Sequence, residues 1–328
     1  MITRSATGPD IHDAGSFGCV PEEGLKGLIR PLQEEAFLAG HLGVRPLLCR
    51  GEPGRFNGIF GWDDLNAILE TSRVDPSRMH LVRAARGMSM TSCSEPVPQL
   101  APRGRPLRLR PEVLTGALAD GATLAVDGVE ELHLPLRALV GRVEESLRNL
   151  VQANLYANVG GAPQGFDTHW DDHDVIILQV AGKKNWDLHP PTLAHPVGKL
   201  TSPPKPHPSD AGWSGTLSEG DVLYLPRGWW HTVRAADGPS LHLTLGSRLP
   251  SAADLLRLLL RQLATERQVV RQDLPRFADA ATADQWYAEL RATLVEAVQE
   301  PGLLERLGTE AGEEAPGRPV FTLPTCSG

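Results

Sequence analysis

The chain has 328 residues, of which 41% are apolar and 22% charged, with a formal net charge of -8. This is enough apolar material for a sizeable core, and the length suits one large domain with a smaller one. The acidic balance argues against broad binding to a nucleic-acid backbone, no apolar run approaches the ~18 residues of a membrane span, and the opening MITRSATGPDIHDAG lacks the apolar segment of a secretory signal.

Residues 1–25 are polar and Gly-rich and read as a flexible N-terminal arm. Leu28, Leu32, Phe37, Leu38 and Leu42 fall at helical spacing, with a break near Pro31. Arg45–Arg50 is a short apolar run ended by Gly51 and predicts a strand. Asp63 is a candidate cap for a helix over Asp64–Leu69, and Leu81–Ala85 a further strand. Residues 94–111 are rich in Pro and Arg and read as a surface loop, with an edge strand near Leu107–Leu109 as the other choice. Gly121–Val126 reads as a turn entering a strand. Leu136, Leu139, Val140, Val143 and Leu147 mark one face of a helix over Leu136–Leu150.

From Gln152 to Leu245 the pattern changes to short strands separated by Gly, Pro and Asp: Asn154–Ala157, Val175–Val180, Asn185–Leu188, Val222–Leu225, His231–Arg234 and Ser240–Leu245. Such spacing predicts an antiparallel sandwich or barrel. The Pro-rich stretch 189–212 is its longest loop. After Pro250 helical spacing returns, at Leu255, Leu258, Leu259 and Leu263 and again over Ala283–Val298. The domains expected are thus the arm 1–25, a catalytic domain 26–250 and a helical region 251–328.

The four cysteines (Cys19, Cys49, Cys93, Cys326) are widely and irregularly spaced and form no CxxC pair, which points to free thiols in a reducing cytoplasm.

The chemistry concentrates around Thr168-His169-Trp170-Asp171. Residues two apart share one face of a strand, so His169 and Asp171 can converge on one ion. Antiparallel pairing brings His231, at the end of Leu223-Tyr-Leu-Pro-Arg-Gly-Trp-Trp-His231, opposite them. Two imidazoles and one carboxylate form a facial triad that leaves one side of a metal open, which suits Fe(II), whereas structural zinc prefers four closed ligands. An isolated His-x-Asp pattern is common by chance, and a strand histidine is more often packed or solvated.

The run Gln164-Gly-Phe-Asp-Thr-His-Trp-Asp-Asp-His-Asp-Val-Ile-Ile-Leu-Gln-Val-Ala-Gly-Lys-Lys-Asn-Trp186, together with Asn154-Leu-Tyr-Ala157, Gly220–His231 and Ser240-Leu-His-Leu-Thr-Leu245, resembles the JmjC-type ribosomal oxygenases, a family of 2-oxoglutarate-dependent protein hydroxylases. The blocks cover roughly residues 150–250, and a looser likeness extends upstream. The resemblance implies a mainly β fold with helices, built on a double-stranded β-helix (cupin, or jelly-roll) core. It implies His169, Asp171 and His231 as ligands of Fe(II), with 2-oxoglutarate and O2 as cosubstrates. It places Lys184 at the far carboxylate of 2-oxoglutarate, with Asn154, Tyr156 and Thr244 lining the same pocket. Lys183, on the opposite strand face, is expected in solvent; the other reading of Lys184 is the same fate, and that of Asn154, Tyr156 and Thr244 is ordinary strand packing.

Two departures from the family pattern stand out. The loop from Asn158 to Gln164 is about one residue longer, and Gly246 stands where a hydroxyl residue is expected, removing a possible cosubstrate contact. The tail is shorter than the family's dimerisation region plus winged helix and shows no complete winged helix; the helix near 253–265 remains a candidate for homodimerisation.

Among other residues, His173 is expected beside the site rather than as a fourth ligand, and His242 toward the barrel interior. Trp186 fits the core, and of Trp229 and Trp230 one should pack the core while the other walls the pocket. His189, His195 and His207 read as loop residues. The function implied is hydroxylation of an unactivated carbon in a protein or peptide, either a ribosomal protein or a natural-product precursor peptide. The alternatives are a hydroxylase of a free amino acid or small molecule, demethylation through the same first step, and a JmjC-like metal-binding scaffold without turnover.

Overall fold

The computed structural model describes residues 8–13, 21–71, 74–83, 86–88, 90–96, 107–160 and 166–313. By contacts the chain divides into two units, Met1–Arg248 and Leu249–Gly328.

The first unit holds strands β1 (Asp10–Asp13), β2 (Leu47–Arg50), β3 (Met79–Arg83), β4 (Arg86–Met88), β5 (Ser94–Pro96), β6 (Leu107–Leu109), β7 (Thr123–Val126), β8 (Gln152–Asn158), β9 (Asp174–Ala181), β10 (Lys183–His189), β11 (Trp213–Ser218), β12 (Val222–Leu225), β13 (Trp230–Ala235) and β14 (Ser240–Ser247). Its helices are α1 (Gly24–Leu28), α2 (Glu34–Gly40), α3 (Trp62–Thr71), α4 (Pro111–Ala119) and α5 (Leu134–Leu147). The large sheet runs β1-β2-β12-β9-β14-β8-β7-β3-β4, a small sheet runs β11-β10-β13, and β5 pairs with β6.

The layers follow from the alternation of side chains along each strand. In β9, Ile176, Leu178 and Val180 face a core shared with Leu25, Phe37, Leu65, Leu136, Leu139 and Val143 of the helices. Val175 and Ile177, on the other face, pack with Trp186, Leu188, Leu217, Leu223, Leu225 and Trp229 between the two sheets. β9 is therefore apolar on both faces, as a central strand must be. It turns into β10 through Gly182, whose φ of +65° and whose approach to the Pro239 carbonyl, 2.0 Å from where a Cβ would stand, admit no side chain.

The helix break near Pro31 falls between α1 and α2, and the strands read in the sequence all form. Several elements differ from expectation. Residues 10–13 belong to the sheet, pairing in parallel with β2, with an Arg45–Asp10 ion pair at 3.1 Å; backbone bonds hold this polar segment where apolar spacing gives no signal. Residues 1–7 and 14–20 of the expected arm lie outside the described residues. In the 94–111 stretch the second choice, a strand at Leu107–Leu109, forms and pairs antiparallel with Ser94–Pro96. Asp63 lies inside the first turn of α3 instead of capping it, and α4 and β11 had no counterpart in the reading.

The second unit holds α6 (Ala252–Glu266), α7 (Gln268–Arg271), α8 (Ala280–Gln299) and α9 (Leu303–Glu313), and no strand among its described residues. Ser251 and Asp254 form a reciprocal capping box at the start of α6. Leu258, Leu259, Leu263, Ala297, Leu303 and Leu307 make its core. No described helix is long and apolar enough to cross a membrane.

Candidate metal centre

His169 and His231 meet through their backbones before their side chains are considered. The His169 N–H donates to the His231 carbonyl (3.2 Å) and the His231 N–H to the His169 carbonyl (2.8 Å), an antiparallel bridge at the end of β13. Thr168 and Thr232 join hydroxyls alongside at 2.7 Å, and the Asp171 carbonyl accepts from Gly228 N–H at 3.0 Å. The segment carrying His169 and Asp171 is thus fastened to the strand carrying His231.

Ligand atoms of His169, Asp171 and His231 lie within 4.8 Å of one another, and among the described residues no other group of three such side chains does so. His231 Nε2 is 3.7 Å from an Asp171 carboxylate oxygen. Each imidazole has its Nδ1 beside a backbone carbonyl, His169 at 2.7 Å from Asp167 and His231 at 3.2 Å from Trp229. A carbonyl only accepts, so Nδ1 carries the proton and Nε2 is left as a lone-pair donor toward the shared point. Burial holds the His231 pKa below the ordinary imidazole range and keeps the ring neutral, the form a metal binds. The donor set fits a divalent metal with open positions.

The triad lines a cavity of about 140 Å³ between the two sheets. Its walls are built by strand alternation. β8 supplies Asn154, Tyr156 and Asn158; β14 supplies His242 and Thr244, opposite Tyr156 and Asn154; β10 supplies Lys184 and Trp186, opposite Ala235 and Val233 of β13. The sequence-predicted site residues therefore come together in one cavity. Lys184 is 4% exposed while Lys183 is in solvent. Among the described residues no carboxylate pairs with Lys184, and burial alone brings its pKa down to about 7. An unpaired charge in such a place costs on the order of several kcal/mol.

The deep end of the cavity holds more unspent polarity than the sequence reading assigned. His242 Nδ1, Asn158 Nδ2 and Trp186 Nε1 are buried and have no hydrogen-bond partner among the described residues. His242 stacks on Tyr156 (4.8 Å between ring centroids) and meets Trp186 edge-on. Burial first, then Lys184, lowers the His242 pKa and keeps the ring neutral. Burial raises the Tyr156 pKa, with Asp171 adding to it. The interior placement of His242 was readable from its alternation with Leu241 and Leu243; Asn158, at the end of its strand, gave no such signal.

The remaining residues divide. His173 lines the cavity beside the triad. Trp186 is a core residue that also lines the cavity, stacking on His231 at 5.8 Å. Trp229 packs the core between the sheets, but Trp230 does not wall the cavity: its indole N–H donates to Thr192 Oγ1 at 3.0 Å, because it is turned toward the Pro-rich loop. Gln164 and the glycines at 161 and 165, most of the lengthened loop, lie outside the described residues.

Residues 132–255 match the model of the JmjC domain. The matched stretch holds His169, Asp171 and His231. Around it, the chain is 30% identical over 262 residues to ribosomal oxygenase 1 of Gallus gallus, which covers 76% of this chain and 42% of that protein. It is 27% identical over 314 residues to the bifunctional lysine-specific demethylase and histidyl-hydroxylase NO66 of Drosophila persimilis, covering 92% of this chain and 44% of that one. The chain spans less than half the length of these relatives. Among solved structures, the ribosomal oxygenase YcfD of Escherichia coli in complex with cobalt and 2-oxoglutarate superposes with a TM-score of 0.55 at 20% identity, covering 90% of this chain and 75% of that one. The JmjC jelly roll expected from the sequence is the fold of the first unit.

Proposed function

We propose that this chain is an Fe(II)- and 2-oxoglutarate-dependent oxygenase that hydroxylates an unactivated carbon of a protein or peptide side chain. The observation that carries the proposal is the coexistence, in one cavity, of a three-ligand set open on one side and a buried lysine with no anionic partner among the described residues.

When bound, iron with 2-oxoglutarate and O2 supplies the oxidising chemistry, in which the cosubstrate loses CO2 to give succinate and one oxygen atom enters the substrate C–H bond. The chain's residues hold and shield that chemistry. His169, Asp171 and His231 would hold the metal. Lys184 would neutralise the far carboxylate of the cosubstrate, and His242, Asn158 and Trp186 have the unspent polar atoms to surround it. Asn154, accepting from Gly128 N–H through Oδ1 at 3.1 Å and hydrogen-bonded to Tyr156, lines the stretch between, with Thr244. Val175, Ile177 and Val233 give that stretch apolar walls that exclude water.

The names of the relatives, a ribosomal oxygenase and a histidyl-hydroxylase, support a protein side chain as substrate, with a ribosomal protein as the first candidate. The buried free thiols of Cys49 and Cys93 support a cytoplasmic location. The exposed Leu256, Leu260, Leu294 and Val298 support self-association through the helical unit.

The test is anaerobic addition of Fe(II) and then 2-oxoglutarate, which should raise a visible charge-transfer band. Aerobic incubation with peptides tiling the ribosomal proteins should then give products heavier by one oxygen atom, in step with succinate. A protein showing neither the band nor succinate would be a scaffold, and the proposal would fail.

A further inference from the structure

Gly246 reads in the sequence as a lost hydroxyl. Its surroundings give it a different purpose. It follows His242 and Thr244 on the cavity face of β14 and pairs with Gln152 of β8 and Val175 of β9. A Cβ at this position would stand 2.8 Å from His173 Cδ2 and 2.9 Å from His173 Nε2, closer than real Cβ atoms approach. The backbone at Gly246 is the floor on which the His173 ring rests.

His173 is otherwise placed for contact with something entering the cavity. It lines the cavity while remaining 32% exposed, so it stands at the open side of the metal ligands. Its Nδ1 lies 3.2 Å from an Asp172 carboxylate oxygen. The other Asp172 oxygen is 2.9 Å from where a Cβ of Gly198 would stand, and Gly198 belongs to the Pro-rich loop and has a φ of +35°. Two glycines thus leave room on either side of the Asp172–His173 pair, one under the ring and one beside the carboxylate.

We propose that His173 is the specificity-determining wall for the target side chain, held against Gly246 and steered by Asp172. This rests on the oxygenase reading above and adds the residue that sizes the open end of the site. The departure from the family pattern at position 246 is then an exchange, in which a hydroxyl on β14 is given up so that an imidazole just ahead of β9 can occupy the wall. A larger residue at 246 would drive the ring into the space the target needs, and a smaller residue at 173 would enlarge that space.

The test compares the wild type with His173→Ala, Gly246→Ser and the double variant. The probe is the array of peptides tiling the ribosomal proteins, with kcat/KM read from the mass gain of one oxygen atom. His173→Ala should shift the ratio between bulky and small targets by about tenfold or more. Gly246→Ser should lower kcat/KM on wild-type targets by about tenfold or more, and the double variant should regain most of that loss, since the clash needs both side chains. Affinity of the cobalt-loaded protein for 2-oxoglutarate, read by calorimetry, should stay within about twofold in His173→Ala. Unchanged target selectivity in His173→Ala, or no recovery in the double variant, overturns the proposal while leaving the oxygenase reading intact. An array giving no product with the wild type, while succinate still forms, overturns both this proposal and the protein-substrate reading.

Discussion

The two ends of the cavity are built on different terms. At the deep end Lys184, His242, Asn158 and Trp186 are each at most 5% exposed, and among the described residues His242 Nδ1, Asn158 Nδ2 and Trp186 Nε1 find no hydrogen-bond partner and Lys184 no carboxylate. At the open end His173 is 32% and Asp171 28% exposed, and His173 already has a polar partner in Asp172. A site that always receives the same small anion can leave buried groups unsatisfied until it arrives, because the ligand's binding energy offsets their cost. A site that receives a side chain on a large partner must keep its groups satisfied in water while it waits. The difference separates what is fixed in the reaction from what is selected.

Perturbations should respect that division. The largest effect belongs to the metal between the ends. Asp171→Ala should weaken cobalt or iron binding by ~100-fold or more and abolish succinate formation, since loss of even an outer-shell partner costs 10–100-fold; calorimetry with metal alone checks this. Next, Lys184→Met should weaken 2-oxoglutarate binding by ~100- to 1000-fold, the consequence of stripping one partner from a buried ion pair.

The same substitution should raise the Tm of the ligand-free protein. With its folded pKa at about 7, Lys184 is fully charged below that pH and its burial penalty is greatest there. Between pH 7 and ~10.5 the unfolded chain holds more protons than the folded one, so the wild type gains stability as pH rises and the Tm gap to Lys184→Met should narrow. Affinity for 2-oxoglutarate should fall as pH rises above about 7 in the wild type and lose that dependence in the variant. A gap constant from pH 6 to pH 9 would contradict the unpaired-lysine account.

A smaller effect is expected from His242→Phe, which keeps the stacking on Tyr156 but removes the unpaired nitrogen. It should weaken 2-oxoglutarate binding by about tenfold, as for one buried hydrogen bond to a charged group, with metal affinity unchanged. The smallest comes from Trp230→Phe, which loses the bond to Thr192 and part of a buried ring, away from the cavity. It should cost ~1 kcal/mol of stability in denaturant unfolding and leave both ends of the cavity alone.

Much of the catalytic unit was legible because strands report their faces with a period of two. That rule sets Lys184 and Lys183 on opposite faces and puts Asn154 with Tyr156 and His169 with Asp171; which of these serve the site is what the resemblance to the JmjC-type ribosomal oxygenases implies. It failed where a feature depends on a neighbour distant in sequence. β11, Trp213–Ser218, is rich in Ser, Gly and Thr and is a strand only because β10 lies beside it. Gly246 looked like a loss because nothing in the chain order shows that His173 comes to rest on it. His242 was correctly turned inward, yet its significance lies in a nitrogen left unpaired by Tyr156, Trp186 and Lys184 on other strands. The helices α4 and α9 escaped because their apolar periodicity is short.

The backbone bridge between His169 and His231 has one further consequence. The same two residues that offer nitrogens to a metal also trade both of their amide bonds, so a metal held by their side chains should tighten this corner of the barrel. Metal binding should therefore slow hydrogen–deuterium exchange at the amides of His169 and His231 more than at strands remote from the site, and a chelator should speed it again. The corner would serve as an internal gauge of occupancy, readable without turnover and without knowing the substrate.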